Sequence, residues 1–392
     1  MKRFRIEEHP LFSADDVAPA VNAVVAAMEP GDQAVLSYGV YRFGGTIRIQ
    51  NPNGLRYCRI ALEGEYTYTG SGPALRIEGE HLDFSLQRIA TGRRSDFYKT
   101  SPDDVLPTGV EVGECNYSRL DFGEIEGFEY GLKLCPDRDD TGICYTKFTF
   151  QYISYCYIPL YFGVDDGAVA WINENQFTGG RLKGYYGMVA RKGARQIDEY
   201  NNNSFWNIRF EKVTKDAIFC EFSAFNSFIK PVFSEIGGFY LNQKASSKGN
   251  TFTIEAKTSI SKLAFYSKGD IVKAPLTDAS GAVVASELTT TNLKSAASVK
   301  KGFTLTNKKD MTAGPGTTNL PLNIGTVNVS SASGAVTLRT DANASFENNS
   351  FMLRVTGYGK AIQVNNLAGK ITSAGTYKII YMGGEWRAVK LS

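Results

Sequence analysis

A repeated pattern of short strands is the feature of this sequence that most restricts its fold. The clearest copy begins at Asn116 and places apolar or aromatic residues at Leu120, Phe122, Ile125, Tyr130, Leu132 and Leu134. The same offsets return from Phe148 and Ile208, with looser copies from Phe177, Pro231 and Ile254. The alternation has a period of two residues, which is typical of strands. Successive copies start about 23 to 31 residues apart, within the range of stacked supersecondary repeats.

A coil of three short strands repeated at this interval predicts a parallel β-helix over residues 31–268. The predicted inward columns are Phe122–Phe150–Phe210 and Ile125–Ile153–Val213. Asparagines recur just ahead of the coil anchors, at Asn116, Asn173, Asn203, Asn226 and Asn250. Asparagine tolerates a left-handed backbone and can hydrogen-bond to the next turn, so we interpret these residues as structural corners.

The N-terminal segment predicts a cap for this β-helix. Residues 1–12 are expected to form a short arm, and an amphipathic helix follows from near Ser13 or Asp16 to Pro30. Its apolar face consists of Val17, Val21, Val24, Val25 and Met28. Pro19 is tolerated in the first turn, where the backbone N–H has no helical partner. We expect residues 1–30 to cover the open end of the first coil.

The sequence changes character after Gly269. Ser, Thr, Gly, Ala and Asn dominate, cysteine is absent, and the strand patterns become irregular. Because the strand positions are too apolar for disorder, residues 269–392 are predicted to form a compact, β-sandwich-like or barrel-like domain. From Asp270 onward there are 13 Lys+Arg and 7 Asp+Glu, so the earlier residues are mildly acidic.

Composition excludes several function classes. The net charge of +3 is too small to indicate a nucleic-acid partner. No apolar run is long enough for a membrane span, and the N-terminus lacks the apolar core of a Sec signal peptide. The six cysteines show no C-x-x-C or zinc-finger spacing, and the only histidines are His9 and His81. We therefore expect buried free thiols, no metal site, no cofactor and synthesis in a cytoplasm.

Surplus residues after the third strand of three consecutive coils mark a candidate site. The inserts are CPDRDDTG from Cys135, GVDDGAVA from Gly163 and RKGARQIDEYNN from Arg191. Because neighbouring coils stack ~4.8 Å apart, the inserts should lie side by side. The candidate carbohydrate-binding residues are Arg138, Asp140, Asp165, Arg191, Arg195, Glu199 and Tyr200.

The same inserts offer carboxylates for chemistry. Asp139, Asp166 and Asp198 are the candidate catalytic residues, one as acid and another as base or nucleophile. The carboxylates could instead hydrogen-bond sugar hydroxyls or hold a divalent ion. A solvated, charged loop edge without a ligand is the third interpretation.

Two segments resemble known proteins. Residues 31–49, GDQAVLSYGVYRFGGTIRI, with the Ala-rich helix ahead of them, resemble the entry of pectate-lyase-like β-helix proteins, a superfamily that includes polysaccharide lyases, glycoside hydrolases and bacteriophage tailspikes. The ending ITSAGTYKIIYMGGEWRAVKLS resembles the C-terminal strand pair of phage tail spikes and fibres. The resemblance implies an all-β fold: a right-handed parallel β-helix with an N-terminal capping helix and a C-terminal β-sandwich-like domain.

The resemblance also implies a function. It favours a tailspike-like receptor-binding protein of the virion tail, a homotrimer that recognises a bacterial surface polysaccharide. Its N-terminal arm would contact other virion or tail proteins, and residues 269–392 would serve trimerisation or receptor binding. The alternatives are a polysaccharide lyase or glycoside hydrolase of the superfamily, and a non-enzymatic virion fibre or decoration protein. The polygalacturonase-type pattern needs a histidine after its Asp-Asp pair, and none follows Asp165-Asp166, which weighs against cleavage.

Overall fold

The computed structural model describes the chain except residues 52–53, 93–105, 165–166, 194–199, 245, 266, 268, 278–280, 282, 291–302, 306–308, 314, 321–323, 331–334, 341–349, 359, 365–366, 369–370, 383–384 and 392. The chain divides into two units, Met1–Asn250 and Thr251–Ser392. In the described part, no helix is both long and apolar enough to cross a membrane.

The first unit is built from two sheets of parallel strands. The first sheet contains Arg3–Arg5, Gln33–Leu36, Val40–Phe43, Arg59–Tyr68, Asp83–Ala90, Arg119–Glu126, Lys147–Cys156, Gln176–Thr178, Arg181–Gly184, Ser204–Trp206, Arg209–Val213, Ser227–Ile229 and Val232–Ile236. The second contains Ile47–Ile49, Leu75–Glu80, Val110–Asn116, Tyr130–Leu134, Gly142–Cys144, Ile158–Phe162, Trp171–Asn173, Met188–Ala190, Ile218–Cys220 and Leu241–Gln243. Each strand pairs in parallel with its equivalent one coil later, so the predicted parallel β-helix is confirmed.

The core consists of columns of side chains that repeat from coil to coil. Phe148, Phe177, Phe205 and Phe228 occupy the same register position of the first sheet. Their rings stack face to face, with successive centroids 4.7, 4.8 and 4.4 Å apart. In the second sheet, the column Leu132–Leu160–Met188–Ile218–Leu241 is buried. Such columns remove a continuous apolar surface from water, which is the main stabilising term of the fold.

The predicted register is correct in the earlier coils and wrong from the fourth copy onward. Phe122 lies opposite Phe150, and Ile125 lies opposite Ile153, as predicted. Phe210, however, pairs with Leu182, which pairs with Ile153, so it belongs to the isoleucine column. The true anchor of that coil is Phe205, three residues before Ile208. A left-handed residue at Asn207, with φ of 54°, splits the long strand into two short ones there.

The N-terminal residues cover the beginning of the β-helix. The helix spans Ala18–Ala26, with a proline in its first turn, and it buries Val21, Val24 and Val25 as predicted. The Asn22 side chain donates to Thr46 O and accepts from Arg48 N–H, which satisfies the open edge of the strand Ile47–Ile49. Ahead of it, Arg3–Arg5 pairs in parallel with Gln33–Val35, and a short 3-10 helix spans Ile6–Glu8.

A ladder of buried asparagines closes one corner of the coils. The Asn203 carbonyl oxygen accepts from the backbone N–H of Asn175 at 3.0 Å and from its side-chain amide at 3.1 Å. The Asn203 amide donates in turn to the Asn226 carbonyl oxygen at 3.1 Å, and Asn226 donates to Asn250. Asn116 and Asn173 also accept from the backbone of the next coil. The structural interpretation of the recurring asparagines is confirmed.

The second unit is also formed of strands. Those near its start are Thr251–Thr253, Thr258–Ser259, Leu263–Phe265, Ile271–Thr277, Val283–Thr290 and Phe303–Leu305, with a 3-10 helix at Ile260–Lys262. A six-stranded sheet follows, made of Lys309–Ala313, Ile324–Ser330, Ser350–Gly357, Gly375–Met382, Glu385–Lys390 and Leu367–Ala368. A three-stranded sheet contains Gly316–Leu320, Val336–Thr340 and Ile362–Val364.

The strand pairing of this unit agrees only in part with the sequence prediction. From Lys309 to Val364 the strands alternate between the two sheets and pair in parallel, which the irregular spacing did not predict. The chain ends in the predicted strand pair, Gly375–Met382 antiparallel to Glu385–Lys390. Trp386 of the last strand is fully buried against Phe351, with ring centroids 5.6 Å apart.

Candidate functional site

The loop inserts lie side by side, as their spacing predicts. The Asp140 N–H donates to Val169 O at 2.9 Å, and the Val169 N–H donates to Asp139 Oδ1 at 2.7 Å. The Val164 N–H donates to the Tyr200 hydroxyl at 3.1 Å, which joins the second insert to the third. The described parts of the three inserts therefore form one continuous edge.

The predicted site residues on this edge have different surroundings. Arg138 and Asp140 are exposed, and each lines a surface depression. Asp139 is exposed, but one of its oxygens is occupied by the Val169 N–H, so it serves the loop structure. Arg191 pairs with Glu221 at 3.2 Å and is absent from the described lining of both depressions. Asp165, Asp166, Arg195, Asp198 and Glu199 lie outside the described residues.

Tyr200 is a correction to the predicted carbohydrate contacts. Its residue surface is 1% exposed, and its ring packs edge-on against Phe162 and Phe222. Its hydroxyl accepts from the Val164 N–H. Because a buried aromatic ring has no free face, Tyr200 holds the insert to the core and does not contact a ligand.

A groove made of two adjoining depressions runs beside the inserts. The first is lined by Gln50, Asn51, Gly54, Leu55, Arg56, Glu78, Gly79, Glu80, Glu114 and Arg138. The second, of about 260 Å³, is lined by Glu114, Asn116, Tyr117, Asp140, Thr141, Gly142, Cys144, Tyr145 and Trp171. Glu114 belongs to both, so the depressions adjoin each other at this residue. The lining comes from successive coils, because each coil contributes the same stretch of its second-sheet strand.

Ion pairs hold the polar side chains of the groove. A single Arg138 nitrogen lies 3.1 Å from an oxygen of Glu78 and 3.1 Å from an oxygen of Glu114. Glu78 also pairs with Arg76 at 2.8 Å. Arg76 is mostly buried, which opposes its charge, but its hydrogen bonds to Asp137 and Glu78 raise its pKa. The carboxylates are thus fixed in position, as polar groups in a ligand site need to be.

A ladder of exposed aromatic rings borders the groove. Tyr57, His81, Tyr117 and Tyr145 stack with successive ring centroids 4.5, 5.2 and 5.1 Å apart, and their planes differ by 15° or less. All four have a positive φ, between 53° and 57°, a left-handed conformation that is costly for bulky residues. The three tyrosines are each more than half exposed. This corner therefore presents ring edges and hydroxyl groups to solvent at the spacing of the coils.

This aromatic ladder was not predicted from the sequence, although the sequence contains a signal for it. His81, Tyr117 and Tyr145 each stand three residues before a buried anchor of the first sheet, namely Phe84, Leu120 and Phe148. A search at fixed offset from the anchors would have found the run. Further along the same corner the side chains change to Glu174, Asn202 and Phe225, all with positive φ. The Tyr145 hydroxyl hydrogen-bonds Glu174, which raises the pKa of Tyr145.

Trp171 forms the far wall of the groove, and Gly142 makes room for it. A Cβ atom on Gly142 would lie 2.4 Å from both Cδ1 and Nε1 of the indole. The two residues are paired in adjacent strands, Gly142–Cys144 and Trp171–Asn173. Only glycine at position 142 permits the observed indole position, because any larger residue would overlap the ring.

Two carboxylates of the groove lie close together. Glu78 and Glu114 contact the same nitrogen, so their oxygens lie at most about 6 Å apart, near the separations used in glycoside hydrolysis. The Arg138 guanidinium, however, occupies the space between them. Among the described residues, no group of three or more His, Cys, Asp or Glu side chains is placed to hold a metal ion. Burial raises the pKa of Cys115 and of Cys156 to about 12, which makes these thiols unreactive.

Comparisons with known proteins give structural neighbours only. No protein-family model matches the chain, and no curated protein matches it. The chain is similar to DFA-IIIase from Arthrobacter chlorophenolicus A6 without its lid, at 12% identity and a TM-score of 0.43, over 71% of this chain and 89% of that one.

Two further solved structures are similar to a comparable degree. ORF18 of Geobacillus virus E2 is 11% identical, with a TM-score of 0.43, over 70% of this chain and 61% of that one. PfbA, a surface adhesin of Streptococcus pneumoniae, is 9% identical, with a TM-score of 0.44, over 99% and 98%. Similarities at these identities and TM-scores do not identify a ligand.

Proposed function

We propose that this protein is a tailspike-like receptor-binding protein that holds a bacterial surface polysaccharide in the groove between Gln50 and Trp171. The observation that carries the proposal is that five successive coils each place a side chain in one lining: Arg56, Glu78, Glu114, Arg138 and Trp171. At the strand spacing, five coils extend about 19 Å, which is long enough for several linked sugars.

The groove contains the two kinds of group that sugar recognition uses. Trp171, Tyr117 and Tyr145 supply aromatic surface and hydroxyl groups. Glu114 and Asp140 supply hydrogen-bond acceptors for sugar hydroxyls. Glu114 and Arg138 already hold each other in an ion pair, so little of their side-chain entropy is lost when a ligand binds.

The assembly follows the resemblance to tailspikes. We propose that three copies assemble around a common axis on the virion tail. Residues 269–392 would hold the three copies together. In this assembly the N-terminal arm contacts other virion or tail proteins. Light scattering should give a trimer for the full chain and lower mass or aggregation for residues 1–268. A monomeric full chain would exclude the trimer and with it the tailspike-like assembly.

Carbohydrate binding is tested with variants of the groove. Purified full chain is screened against capsule and lipopolysaccharide preparations from many bacteria, and retention and oligosaccharide release are both measured. Trp171→Ala and Tyr117→Ala should each weaken retention by about tenfold or more, since stacked or packed rings dominate such contacts. Trp206→Ala is the matched control, because Trp206 is a partly exposed tryptophan of the first sheet.

The outcomes separate the functions. Loss of retention in the groove variants, with Trp206→Ala unchanged and no oligosaccharide released, supports a binding protein. Release of oligosaccharide by the parent protein would make it a polysaccharide-degrading enzyme. If all variants are retained equally, the groove is not the binding site. If the parent protein is retained on no preparation, the proposed carbohydrate binding is refuted.

A further inference from the structure

The charges that line the groove restrict the glycans it can accept. Its described lining contains four carboxylates, Glu78, Glu80, Glu114 and Asp140, against two guanidinium groups, Arg56 and Arg138. No described lining residue is a lysine. At neutral pH this lining therefore carries a net negative charge.

Both arginines already form ion pairs with carboxylates of the groove. Arg56 Nε lies 2.9 Å from Glu80, and the Arg138 guanidinium lies 3.1 Å from Glu78 and from Glu114. A uronate or sialate carboxylate entering the groove would compete with these carboxylates for the two guanidinium groups. If Arg138 turned to such a ligand, its ion pair with Glu114 would be weakened, and the incoming charge would also lie beside Glu114, an unfavourable exchange.

Asp140 adds an acidic charge that no described Lys or Arg side chain pairs with. It is exposed, has a φ of 58°, and makes no ion pair among the described residues. It lines the depression that also holds Tyr117, Tyr145 and Trp171, where a sugar ring would be held. An anionic group beside these rings would face repulsion, whereas a hydroxyl, acetamido or amino group could donate a hydrogen bond to Asp140.

From these observations we propose that the groove selects uncharged or amine-bearing glycans and rejects acidic ones. This inference rests on the proposed carbohydrate-binding function and adds the ligand class. It also predicts the effect of salt. Affinity for a neutral glycan should be nearly independent of ionic strength, and residual affinity for an acidic glycan should rise as salt screens the repulsion.

The test uses the full chain on an array of bacterial surface polysaccharides sorted by charge into neutral, amine-bearing and acidic groups. Binders confined to the first two groups support the inference. Binding to acidic polysaccharides that is as strong, or stronger, overturns the inference and leaves the proposed function standing. An array without any binder overturns both.

A charge-reversal variant adds a second measurement on the same array. Asp140→Lys should raise the ratio of acidic to neutral binding by about tenfold at low salt, with a smaller effect at high salt. Glu235→Lys is the matched control, since Glu235 is exposed and has a similar φ of 56°, but it lies in the first sheet. An unchanged ratio for Asp140→Lys, or an equal change in the control, would also overturn the inference.

Discussion

Phe177 and Phe205 lie face to face in adjacent coils, with ring centroids 4.8 Å apart and planes 10° from parallel. Both are at most 3% exposed, and each is flanked by another stacked phenylalanine, Phe148 on one side and Phe228 on the other. A change in one ring therefore affects the packing of three coils. This relationship sets the register of the middle of the β-helix.

Removing one ring from this column should be costly. Phe205→Ala is expected to lower the free energy of unfolding by ~3–5 kcal/mol, because it loses buried area and leaves a cavity between two rings. Urea denaturation followed by circular dichroism measures the change. Phe225→Ala is the control, since Phe225 is 56% exposed and should change stability by about 1 kcal/mol or less. Equal losses in the two variants would contradict the assigned register.

The asparagine ladder predicts a dependence of stability on the side-chain amide. Asn203→Ala leaves the backbone N–H of Asn175 and the carbonyl of Ile172 without their partners, at about 1–3 kcal/mol for each buried group. Thermal unfolding measures the loss.

Asn203→Asp at the same position makes the stability depend on pH. Burial beside the Ile172 carbonyl should raise the pKa of the new carboxyl above its unfolded value. A group with a raised folded pKa stabilises the protein below the unfolded pKa and loses that contribution as the pH rises through the folded pKa. The variant should therefore be closer to the parent at acid pH than at neutral pH, and a pH-independent difference would contradict the buried ladder.

Gly142 and Trp171 give a prediction for the groove wall. Gly142→Ala places a Cβ atom within 2.4 Å of the indole, so the ring must move. We expect a shift in tryptophan fluorescence, weaker glycan retention and a loss of about 1–3 kcal/mol in stability from overpacking. In Gly45→Ala the added Cβ meets no atom within 4 Å, so this control should leave fluorescence and retention unchanged. An unaltered spectrum in Gly142→Ala would contradict the indole position.

Asp32 should make stability fall in acid. Its carboxylate accepts from the backbone N–H groups of Lys2 at 2.5 Å and Glu29 at 3.0 Å. These hydrogen bonds, that from Lys2 most of all, lower the pKa of Asp32. A lowered folded pKa means that the stabilisation is complete above the unfolded pKa, about 3.9, and is lost as the pH falls through the folded value.

The experiment compares urea unfolding of Asp32→Asn and the parent between neutral pH and about pH 2. The variant should be less stable at neutral pH and should lose less stability in acid. Hydrogen exchange should show earlier opening of the strand Arg3–Arg5, which this carboxylate helps to hold. Asp15→Asn, at an exposed position, is the control and should follow the parent curve.

The register of the later coils shows a limit of reasoning from the sequence. Ile208, Phe210 and Val213 satisfy the same apolar offsets as Phe148, Phe150 and Ile153, so alternation alone cannot reject that alignment. The structure rejects it because Phe205 pairs with Phe177, and a left-handed bend at Asn207 separates the two short strands of that coil. A left-handed bend in a non-glycine residue leaves little trace in a hydrophobic pattern.

The candidate site, like the register, was predicted only in part from the sequence. The position of the inserts followed from their length, because extra residues at the same point of stacked coils must be neighbours. The burial of Tyr200 could not be predicted from the sequence. A tyrosine at the end of a polar loop is expected to be exposed unless the packing beneath the loop is known. Glu78 and Glu114 come from strands that lie far apart in the sequence, and only the pairing of coils brings both to Arg138.

By itself, the sequence determined the all-β class, the parallel coils, the presence of a capping helix before Pro30 and the structural asparagines, because each follows from local spacing or backbone preference. The structure gave that helix its bounds, Ala18–Ala26. The tertiary structure decided which residues share a column, and therefore which side chains line the groove and which aromatic rings stack beside it. The physical reason is that a strand's pattern specifies which face is buried, whereas backbone hydrogen bonds between coils specify which residues of different strands become neighbours.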